Sequence, residues 1–341
     1  MNMNIKELAK EIGVSSATVS RVINNSGYVS DKTKEKVLEA VRKYNYVPNA
    51  IARSLSTKDS RSIGVIISDI ENEFFSSVIS GISEVADENG YNIYFMSTNE
   101  SIEKEHYFLE TVEQQCLAGV IITPVSEDDT VTMKKLVRLQ NKGIPVVLVD
   151  RDLKGASFDG VFVDNAAGSC QGVKALIREG HKRIAIITGP GTSKPGKERL
   201  KGYLNALEDE GIEVRQEYIM SGDFKTEKAY RCTEKLLQME TPPTAIFCSN
   251  NMTTIGCLKC LTEHKQKPGR DISLLGFDDI EILKLIAYNL SVVYRDAKLQ
   301  GKEAMKLMLK KLRDKETKRK EIRVNVPYEV ILRGTEKIKG F

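Results

Sequence analysis

Apolar side chains recur at helical spacing in three short segments at the start of the chain. In the first segment they lie three and four positions apart, at Ile5, Leu8, Ala9 and Ile12. Similar spacing predicts a second helix over residues 16–24 and a third from residue 31 to about residue 45. About three residues separate the first two helices, which is the turn length of a helix-turn-helix motif. The pattern therefore predicts a head of three helices.

Residues typical of helix caps stand at the ends of these segments. Asn4 precedes the first helix and Glu7 follows three positions later, which is the spacing of a capping box. Gly13 can adopt the left-handed backbone that ends a helix, and Ser15 can cap the second helix. In the third helix we expect three apolar residues to face inward, namely Val37, Leu38 and Val41.

The second helix has two unlike faces. Val19, Val22 and Ile23 form an apolar stripe that must pack against the first helix. The opposite face carries small, polar or cationic side chains, at Ser16, Ala17, Ser20 and Arg21. The sequence has no acidic residue from Gly13 to Ser30, and an acid there would repel phosphate. These features predict entry into the major groove of DNA, and a protein-docking module is the alternative.

A short segment rich in apolar residues follows the head. Residues 49–55 can form only about two helical turns, which is too short for a stable isolated helix in water. Ile51, Ala52 and Leu55 need a partner to cover them, and Arg53 lies among them. We therefore predict a hinge that becomes ordered on DNA. A flexible linker is the alternative, although a linker rarely contains Leu and Ile so close to Arg.

From residue 63 onwards, short β-rich runs alternate with amphipathic segments. The runs cover residues 64–68, 91–98, 119–124, 145–150, 160–164, 183–189, 245–250 and 273–278. Alternating strand and helix signals predict parallel sheets with helices on both faces. Because two similar series occur, before and after about residue 164, we expect a body of two doubly wound α/β lobes.

These patterns divide the chain into an all-α head, a hinge and an α/β body. We place the helix-turn-helix domain at residues 1–48 and the hinge helix and linker at residues 49–61. The body, which we expect to bind an effector and to form the dimer, then covers residues 62–341. We assign about 62–164 plus 293–322 to lobe 1, and about 165–292 plus 323–341 to lobe 2.

The distribution of charge divides the chain at the same place. Residues 1–61 contain 11 Lys and Arg against six Asp and Glu, a net charge of +5, whereas the whole chain carries only +4. A basic head on a near-neutral body indicates a polyanion-binding unit joined to a body with another task. The sequence has neither an uncharged apolar run of about 18 residues nor a secretory signal, so we expect a cytoplasmic protein.

Patterns typical of metal sites, cofactors and catalysis are weak. The one CxxC pair, Cys257 and Cys260, has no second pair and no suitably spaced His. Residues 191–198, GTSKPGKE, match a Walker A phosphate loop until Glu198 replaces the Ser or Thr that holds magnesium. The three His lie beside Glu or Lys and form no catalytic set. The sequence therefore predicts no metal site, no cofactor and no enzyme.

Polar and aromatic residues follow the predicted strands of the body. Ligands of parallel sheets bind at the carboxyl ends of the strands, and between the lobes where there are two. Polar side chains there can bond the hydroxyls of a polyhydroxylated ligand, and aromatic rings can stack on its face. The candidates are Asp69, Asn72, Phe74, Phe75, Asp150, Arg151, Asp152, Lys194, Lys197, Arg199, Asp223, Phe224, Asn250, Asn251 and Asp278. Each alone could be a cap or loop residue, but their joint position predicts an effector site.

The stretch from Ile5 to Leu55 resembles the DNA-binding head of the LacI/GalR repressor family. The resemblance implies that the second helix enters the major groove and that the hinge helix orders in the minor groove of a palindromic operator. The implied base contacts are Ser16, Ala17, Ser20 and Arg21, and the implied phosphate contacts are Thr18 and Asn24. In the minor groove the implied contacts are Ala52, Arg53 and Leu55, of which Leu55 would be the wedge. Arg21 is the best candidate for specificity because it can bond guanine bidentately.

Motifs of the body resemble the effector domain of the same family, which is shared with periplasmic sugar-binding proteins. They are NEFF (72–75), VDR (149–151), ERLKGY (198–203), GDF (222–224), CSNN (248–251) and GFDD (276–279). The resemblance implies that Phe74 or Phe75 stacks on a sugar. It also implies that the sugar hydroxyls are bonded by Asp150, Arg151, Arg199, Asn250 and Asp278.

Three departures from the family pattern bear on the effector. Asn251 replaces a usual Asp, and Arg295 stands where Gln is common. Lys194 and Lys197 add charge to the loop before Arg199. We include Arg295 among the expected effector contacts. The added cations favour a phosphorylated or acidic sugar.

The sequence thus predicts a homodimeric transcriptional repressor of carbohydrate-utilisation genes. Its expected partners are double-stranded operator DNA and a small effector, a monosaccharide or a phosphorylated or acidic derivative, with no membrane partner. The alternative is a catabolite-control-type regulator that responds to a phosphorylated carrier protein. No leucine heptad follows the last strand, so we expect a dimer and not a zipper-made tetramer.

Overall fold

The computed structural model describes residues 3–23, 26–46, 60–314 and 321–337. The chain forms two compact units, Met1–Ser60 and Arg61–Phe341.

The head consists of the three predicted helices. They are α1 (Ile5–Ile12), α2 (Ser16–Ile23) and α3 (Asp31–Lys43). The side chain of Asn4 accepts from the Glu7 amide while the Glu7 carboxylate accepts from the Asn4 amide, so the capping box is confirmed. Gly13 has the expected left-handed backbone, with φ 65°. The Ser15 hydroxyl accepts from the amide of Thr18, 3.1 Å away, and so caps α2.

A small core joins the three helices. Leu8, Val19 and Val37, one from each helix, are completely buried. The hydroxyl of Tyr44, directly after α3, donates to Glu11 of α1 at 2.9 Å. The prediction that Leu38 faces inward is wrong, because its side chain is exposed and the buried face of α3 passes through Val37 and Ala40 instead.

The body alternates strands and helices along the chain. Its first part contains β1 (Ser62–Ile67), α4 (Glu73–Glu88), β2 (Asn92–Ser97), α5 (Ile102–Gln114), β3 (Gly119–Ile122), α6 (Thr130–Asn141), β4 (Val146–Val149) and β5 (Asp159–Phe162). Its second part contains α7 (Asn165–Arg178), β6 (Ile184–Thr188), α8 (Lys194–Asp209), β7 (Ile219–Ser221), α9 (Thr226–Leu237), β8 (Ala245–Cys248), α10 (Asn251–Glu263), β9 (Ser273–Phe277), α11 (Glu281–Leu285) and β10 (Ser291–Arg295). The last part contains α12 (Ala297–Arg313), β11 (Arg323–Asn325) and β12 (Tyr328–Ile331).

These strands form two six-stranded sheets, one in each lobe. The strand order is β11-β5-β4-β3-β1-β2 in lobe 1 and β12-β10-β9-β8-β6-β7 in lobe 2. All pairings are parallel except that of β10 with β12. The central strands are buried on both faces, as parallel sheets require. The predicted architecture of two doubly wound lobes is confirmed.

The chain passes between the lobes at positions that differ from the predicted boundaries. We expected residues 293–322 in lobe 1 and residues 323–341 in lobe 2. Strand β10, up to Arg295, pairs with β9 and belongs to lobe 2, whereas β11 pairs with β5 in lobe 1. The chain therefore crosses from lobe 2 to lobe 1 at about residue 296 and returns to lobe 2 at about residue 326. A short apolar run does not reveal which of two similar sheets it will join, since both offer the same hydrogen bonds.

Within the described ranges, no helix is long and apolar enough to cross a membrane. The same ranges contain no cluster of His, Cys, Asp and Glu that could hold a metal ion. Cys257 and Cys260 are buried in α10, where they act as small core residues.

Candidate functional site

The outer face of α2 is the first candidate site. Val19 and Val22 point into the core, while Ala17 and Arg21 are exposed. Ser16, Thr18 and Ser20 are half-buried. The Thr18 hydroxyl lies 2.8 Å from that of Ser15, so its local partner is the helix cap. The face therefore offers small polar groups and one cation to a ligand. The other predicted DNA contacts, Asn24, Ala52, Arg53 and Leu55, lie outside the described residues.

The second candidate site lies between the lobes, where the ends of β4 and β9 meet. Asp150 follows β4 in lobe 1 and Asp278 follows β9 in lobe 2. Both have left-handed backbones, with φ 66° and 69°, which is unusual for residues other than glycine. Such strain costs on the order of 1–3 kcal/mol and is typical of functional sites. Both side chains are nearly completely buried.

Arg295, the last residue of β10, contacts both carboxylates. Its Nε donates to Asp278 at 2.6 Å, and its Nη1 donates to Asp150. The guanidinium carbon lies 3.8 Å from the ring centroid of Phe74 in lobe 1 and 5.5 Å from that of Phe277 in lobe 2. The structure thus brings four predicted effector contacts together, and it shows them contacting one another.

The charges of this cluster support each other. Burial by itself raises the pKa of Asp150, but the nearby cations, above all Arg295, outweigh burial and hold that pKa below its ordinary value. Burial lowers the pKa of Arg295, but Asp150 and Asp278 outweigh this effect and raise it. Asp150 and Arg295 are therefore ionised, and with Asp278 they form a buried network in which the guanidinium contacts both carboxyl groups.

Arg199, on α8, lies beside this network and has mainly neutral partners. Its Nε donates to Asn165 at 3.0 Å and its Nη1 to the carbonyl of Ser249 at 2.6 Å, both neutral partners. Its guanidinium stacks on Phe277 at 3.7 Å, with Phe224 at 5.6 Å. Nη2 is buried and has no hydrogen-bond partner among the described residues. Burial, followed by repulsion from other cations, lowers the pKa of Arg199 to about 9. An acceptor on a ligand would relieve the cost of this unpaired group, which is about 1–3 kcal/mol.

Arg151, also predicted to bind the effector, has a protein partner. Its Nη1 and Nη2 donate to the two oxygens of Glu100, at 2.8 and 2.7 Å. Sequence reasoning missed Glu100, because the pair is separated by 51 positions and nothing local marks it. In this structure Arg151 therefore forms an ion pair within lobe 1.

The two predicted loop lysines form ion pairs with the opposite lobe. Lys194 donates to Asp152 at 2.9 Å. Lys197 donates to Glu127 at 2.5 Å and to Asp128 at 3.1 Å. Both lysines are partly exposed, so these pairs contribute little individually. The charge that favoured a phosphorylated ligand is thus compensated by Asp152, itself a candidate contact, and by Glu127 and Asp128, which sequence reasoning did not assign.

The remaining predicted contacts mainly fix the backbone near the site. The side-chain amide of Asn251 in lobe 2 donates to the side-chain oxygen of Asn72 in lobe 1, 2.9 Å away. Asn72 also caps α4, and Asn250 caps α10. Asp69 accepts from the amide of Glu71. The ring of Phe75 is buried and meets the edge of the Phe74 ring, 5.0 Å away.

Glu105, on α5, is a buried carboxyl group that the sequence did not reveal. It accepts from the amide of Val125 and from the hydroxyl of Thr132. Burial raises its pKa to about 7, although these two bonds partly oppose the shift. Since Val125 lies beyond the end of β3, Glu105 supports the backbone near the cleft.

The raised pKa of Glu105 leads to a prediction about pH. Between the ordinary pKa and about 7, the folded state binds a proton that the unfolded state releases, so stability must fall as pH rises. We expect the free energy of unfolding to be about 1–3 kcal/mol lower at pH 8 than at pH 5.5 because of this group. Urea unfolding at several pH values would measure it. The variant Glu105→Gln should flatten the dependence, whereas Glu103→Gln, an exposed position on the same helix, should not. An equally steep dependence in Glu105→Gln would contradict the assignment.

Comparison with known proteins identifies the family. The sequence model of bacterial regulatory proteins of the lacI family matches residues 4–49. The model of periplasmic binding proteins and the sugar binding domain of the LacI family matches residues 60–330. The chain belongs to the LacI family. The resemblance stated from the sequence motifs is thereby confirmed.

Relatives of this LacI-family protein are transcriptional repressors. The repressor PurR of Mannheimia succiniciproducens is 30% identical over 336 residues, which cover 98% of this chain and 99% of the relative. PurR of Vibrio cholerae is 30% identical over 333 residues, with 98% of both chains covered. The protein is accordingly a DNA-binding transcriptional repressor and not an enzyme.

Solved structures agree with this assignment. The lac repressor dimer bound to operator and the anti-inducer ONPF has a TM-score of 0.84 at 26% identity, with 99% of this chain and 100% of that chain covered. A LacI-family regulator from Silicibacter pomeroyi has a TM-score of 0.82 at 26% identity, with 98% and 99% covered.

Proposed function

We propose that this repressor binds a pseudo-palindromic operator as a homodimer in the cytoplasm, and that a small effector between the lobes changes its affinity for DNA. The observation that carries the proposal is the outer face of α2, which presents Arg21 and small residues and lacks acids. Ser16, Ala17, Ser20 and Arg21 are the proposed base contacts, and Thr18 and Asn24 the proposed phosphate contacts. Ala52, Arg53 and Leu55 are proposed to contact the minor groove.

Exposed apolar surface on both lobes supports the homodimer. Tyr94 and Phe95 lie on the edge strand β2 of lobe 1, and Tyr107 on α5 is 64% exposed. In lobe 2, Leu285 and Ile286, at the end of α11, are 75% and 66% exposed. Apolar side chains exposed in groups mark surfaces that bind other proteins. A two-fold dimer that buried these groups would also place two heads on the two halves of one operator.

The inter-lobe residues support a small effector. A sugar, or an acidic or phosphorylated derivative of one, would find a ring for stacking in Phe224 and, where it displaces Arg295, in Phe74. It would also meet a donor in Arg199 Nη2, which has no partner among the described residues. We propose regulation of carbohydrate-utilisation genes on this basis. The match to the family's sugar binding domain favours this effector over the alternative, a phosphorylated carrier protein.

Selection of binding sites from random double-stranded DNA tests the function directly. The full-length protein should recover a palindromic sequence with two equal half-sites. Repetition with a panel of neutral, acidic and phosphorylated sugars should reveal one class that shifts the affinity by about 5- to 150-fold. Recovery of no palindrome would overturn DNA recognition, whereas a palindrome unaffected by every sugar would overturn only the effector class.

A further inference from the structure

Arg295 occupies the cleft between the lobes in the manner of a bound ligand. Its edge bonds one carboxylate from each lobe, Asp150 of lobe 1 and Asp278 of lobe 2. Its face stacks on Phe74 of lobe 1, with Phe277 of lobe 2 nearby. A charged edge held by carboxylates and a flat face held by aromatic rings are the contacts that a polar ligand would receive there.

We propose that Arg295 is an internal ligand that holds the two lobes together when no small molecule is bound. The proposal rests on the proposed effector site but does not depend on DNA recognition. It makes the closed form of the body an intrinsic state of the chain. It also assigns a function to the residue that replaces the Gln common in the family.

Several other contacts between the lobes are weaker by their chemistry. In the lysine pairs with Asp152, Glu127 and Asp128 the lysine side chains are partly exposed, so solvent screens their charge. The bond from Asn251 to Asn72 joins neutral groups. Among the ion pairs of the described residues, Arg295–Asp150 is the one that joins the lobes with both side chains buried. Removal of one partner from such a pair leaves an uncompensated buried charge, which is costly.

The geometry also limits which ligands can enter. Asp150 and Asp278 are the carboxylates that the family resemblance assigns to sugar hydroxyls, and Arg295 already engages both. A neutral ligand that needs both carboxylates must therefore displace the guanidinium. Displacement leaves the guanidinium as a buried cation without its partners, and binding of such a ligand is therefore unfavourable.

One backbone hydrogen bond reports directly on separation of the lobes. The amide of Glu127, in lobe 1, donates to the carbonyl of Thr192, in lobe 2, at 3.1 Å. When the lobes part, this amide becomes accessible to water and exchanges its hydrogen. The exchange rate at Glu127 therefore measures the population of the open form.

Hydrogen–deuterium exchange of the full-length protein, without DNA or sugar, tests the proposal. The variant Asp150→Asn is isosteric and leaves Arg295 bonded to Asp278, so it removes the negative charge that lobe 1 presents to Arg295 and Arg199 of lobe 2. We expect exchange at Glu127 to accelerate roughly 30-fold or more, with a similar effect in Arg295→Gln. Amides inside β1 should keep their protection, which shows that the lobes themselves remain folded.

Arg333→Gln is the matched control. It breaks another Arg–Asp pair, with Asp279 at 2.8 Å, that lies wholly within lobe 2 and is partly exposed. Exchange at Glu127 should not change in this variant. Unchanged exchange at Glu127 in Asp150→Asn would overturn the proposal, as would an equal acceleration in Arg333→Gln. Neither result bears on operator recognition, which site selection tests separately.

Discussion

Replacement of Arg21 by alanine is expected to weaken operator binding by about 5- to 150-fold, the equivalent of about 1–3 kcal/mol. Arg21 is the exposed cation on the outer face of α2, and its neighbours there, Ser16 and Ala17, are too small to form bidentate contacts. A guanidinium can bond both major-groove acceptors of a guanine, whereas alanine bonds neither. The variant should therefore lose preference at one base position of each half-site. Fluorescence anisotropy with the selected operator and with single-base variants would measure both effects.

The matched control for Arg21 is Arg42→Ala. Arg42 is an exposed arginine of the same head, on α3, and is outside the proposed contacts. Its loss removes the same charge, so it should weaken binding to all sequences slightly and leave base preference unchanged. If Arg21→Ala behaved in the same way as Arg42→Ala, Arg21 would contribute only charge and its role in specificity would be wrong.

Gly301→Ala is expected to destabilise the body by about 1–3 kcal/mol or more, although alanine favours helices. Gly301 lies on α12 where this helix crosses α4, and a Cβ there would lie 2.0 Å from the carbonyl oxygen of Val78. The contact is reciprocal, since a Cβ on Gly81 would lie 2.1 Å from the carbonyl oxygen of Lys298. Backbone atoms cannot rotate away, so the helices must move apart. The gain in helix propensity, about 1 kcal/mol, is too small to compensate.

Thermal and urea unfolding would measure this loss. Gly191→Ala is the control, because a Cβ at Gly191 meets no atom within 4 Å and its backbone needs no positive φ. We expect that variant to unfold as the parent protein does. Equal stability of Gly301→Ala and the parent protein would show that α4 and α12 can separate without cost, contrary to the observed close crossing.

The helices of the head illustrate how much local sequence can predict. The capping box of Asn4 and Glu7 and the left-handed Gly13 are interactions within a few residues, and all were predicted. The error at Leu38 arose because two adjacent apolar residues of a helix cannot both face one core. Val37 is the one that is buried in the core of the head. The two-lobed body was also predictable, because its alternating runs depend on residues close together in the chain. The positions at which the chain crosses between the lobes were not predictable in this way.

The effector site shows where such reasoning ends. Sequence position placed Asp150, Arg199 and Asp278 after strands or at the start of a helix, and the structure does bring them together. Sequence position did not indicate the partners of these three residues. Arg295 was expected to contact a ligand, and the structure shows that it contacts Asp150, 145 positions away. Glu100 and Glu127 were not expected at all, yet they neutralise Arg151 and Lys197.

The sequence by itself determined the family, the three-helix head, the α/β lobes and the set of polar residues at the strand ends. These depend on hydrophobic periodicity, capping and motifs, which act between neighbours along the chain. Only the tertiary structure decided which charge pairs with which, and it placed Arg295 against carboxylates of both lobes. The physical reason is that a buried charge must find its counter-charge in three dimensions, and closure of the lobes determines which one lies within reach.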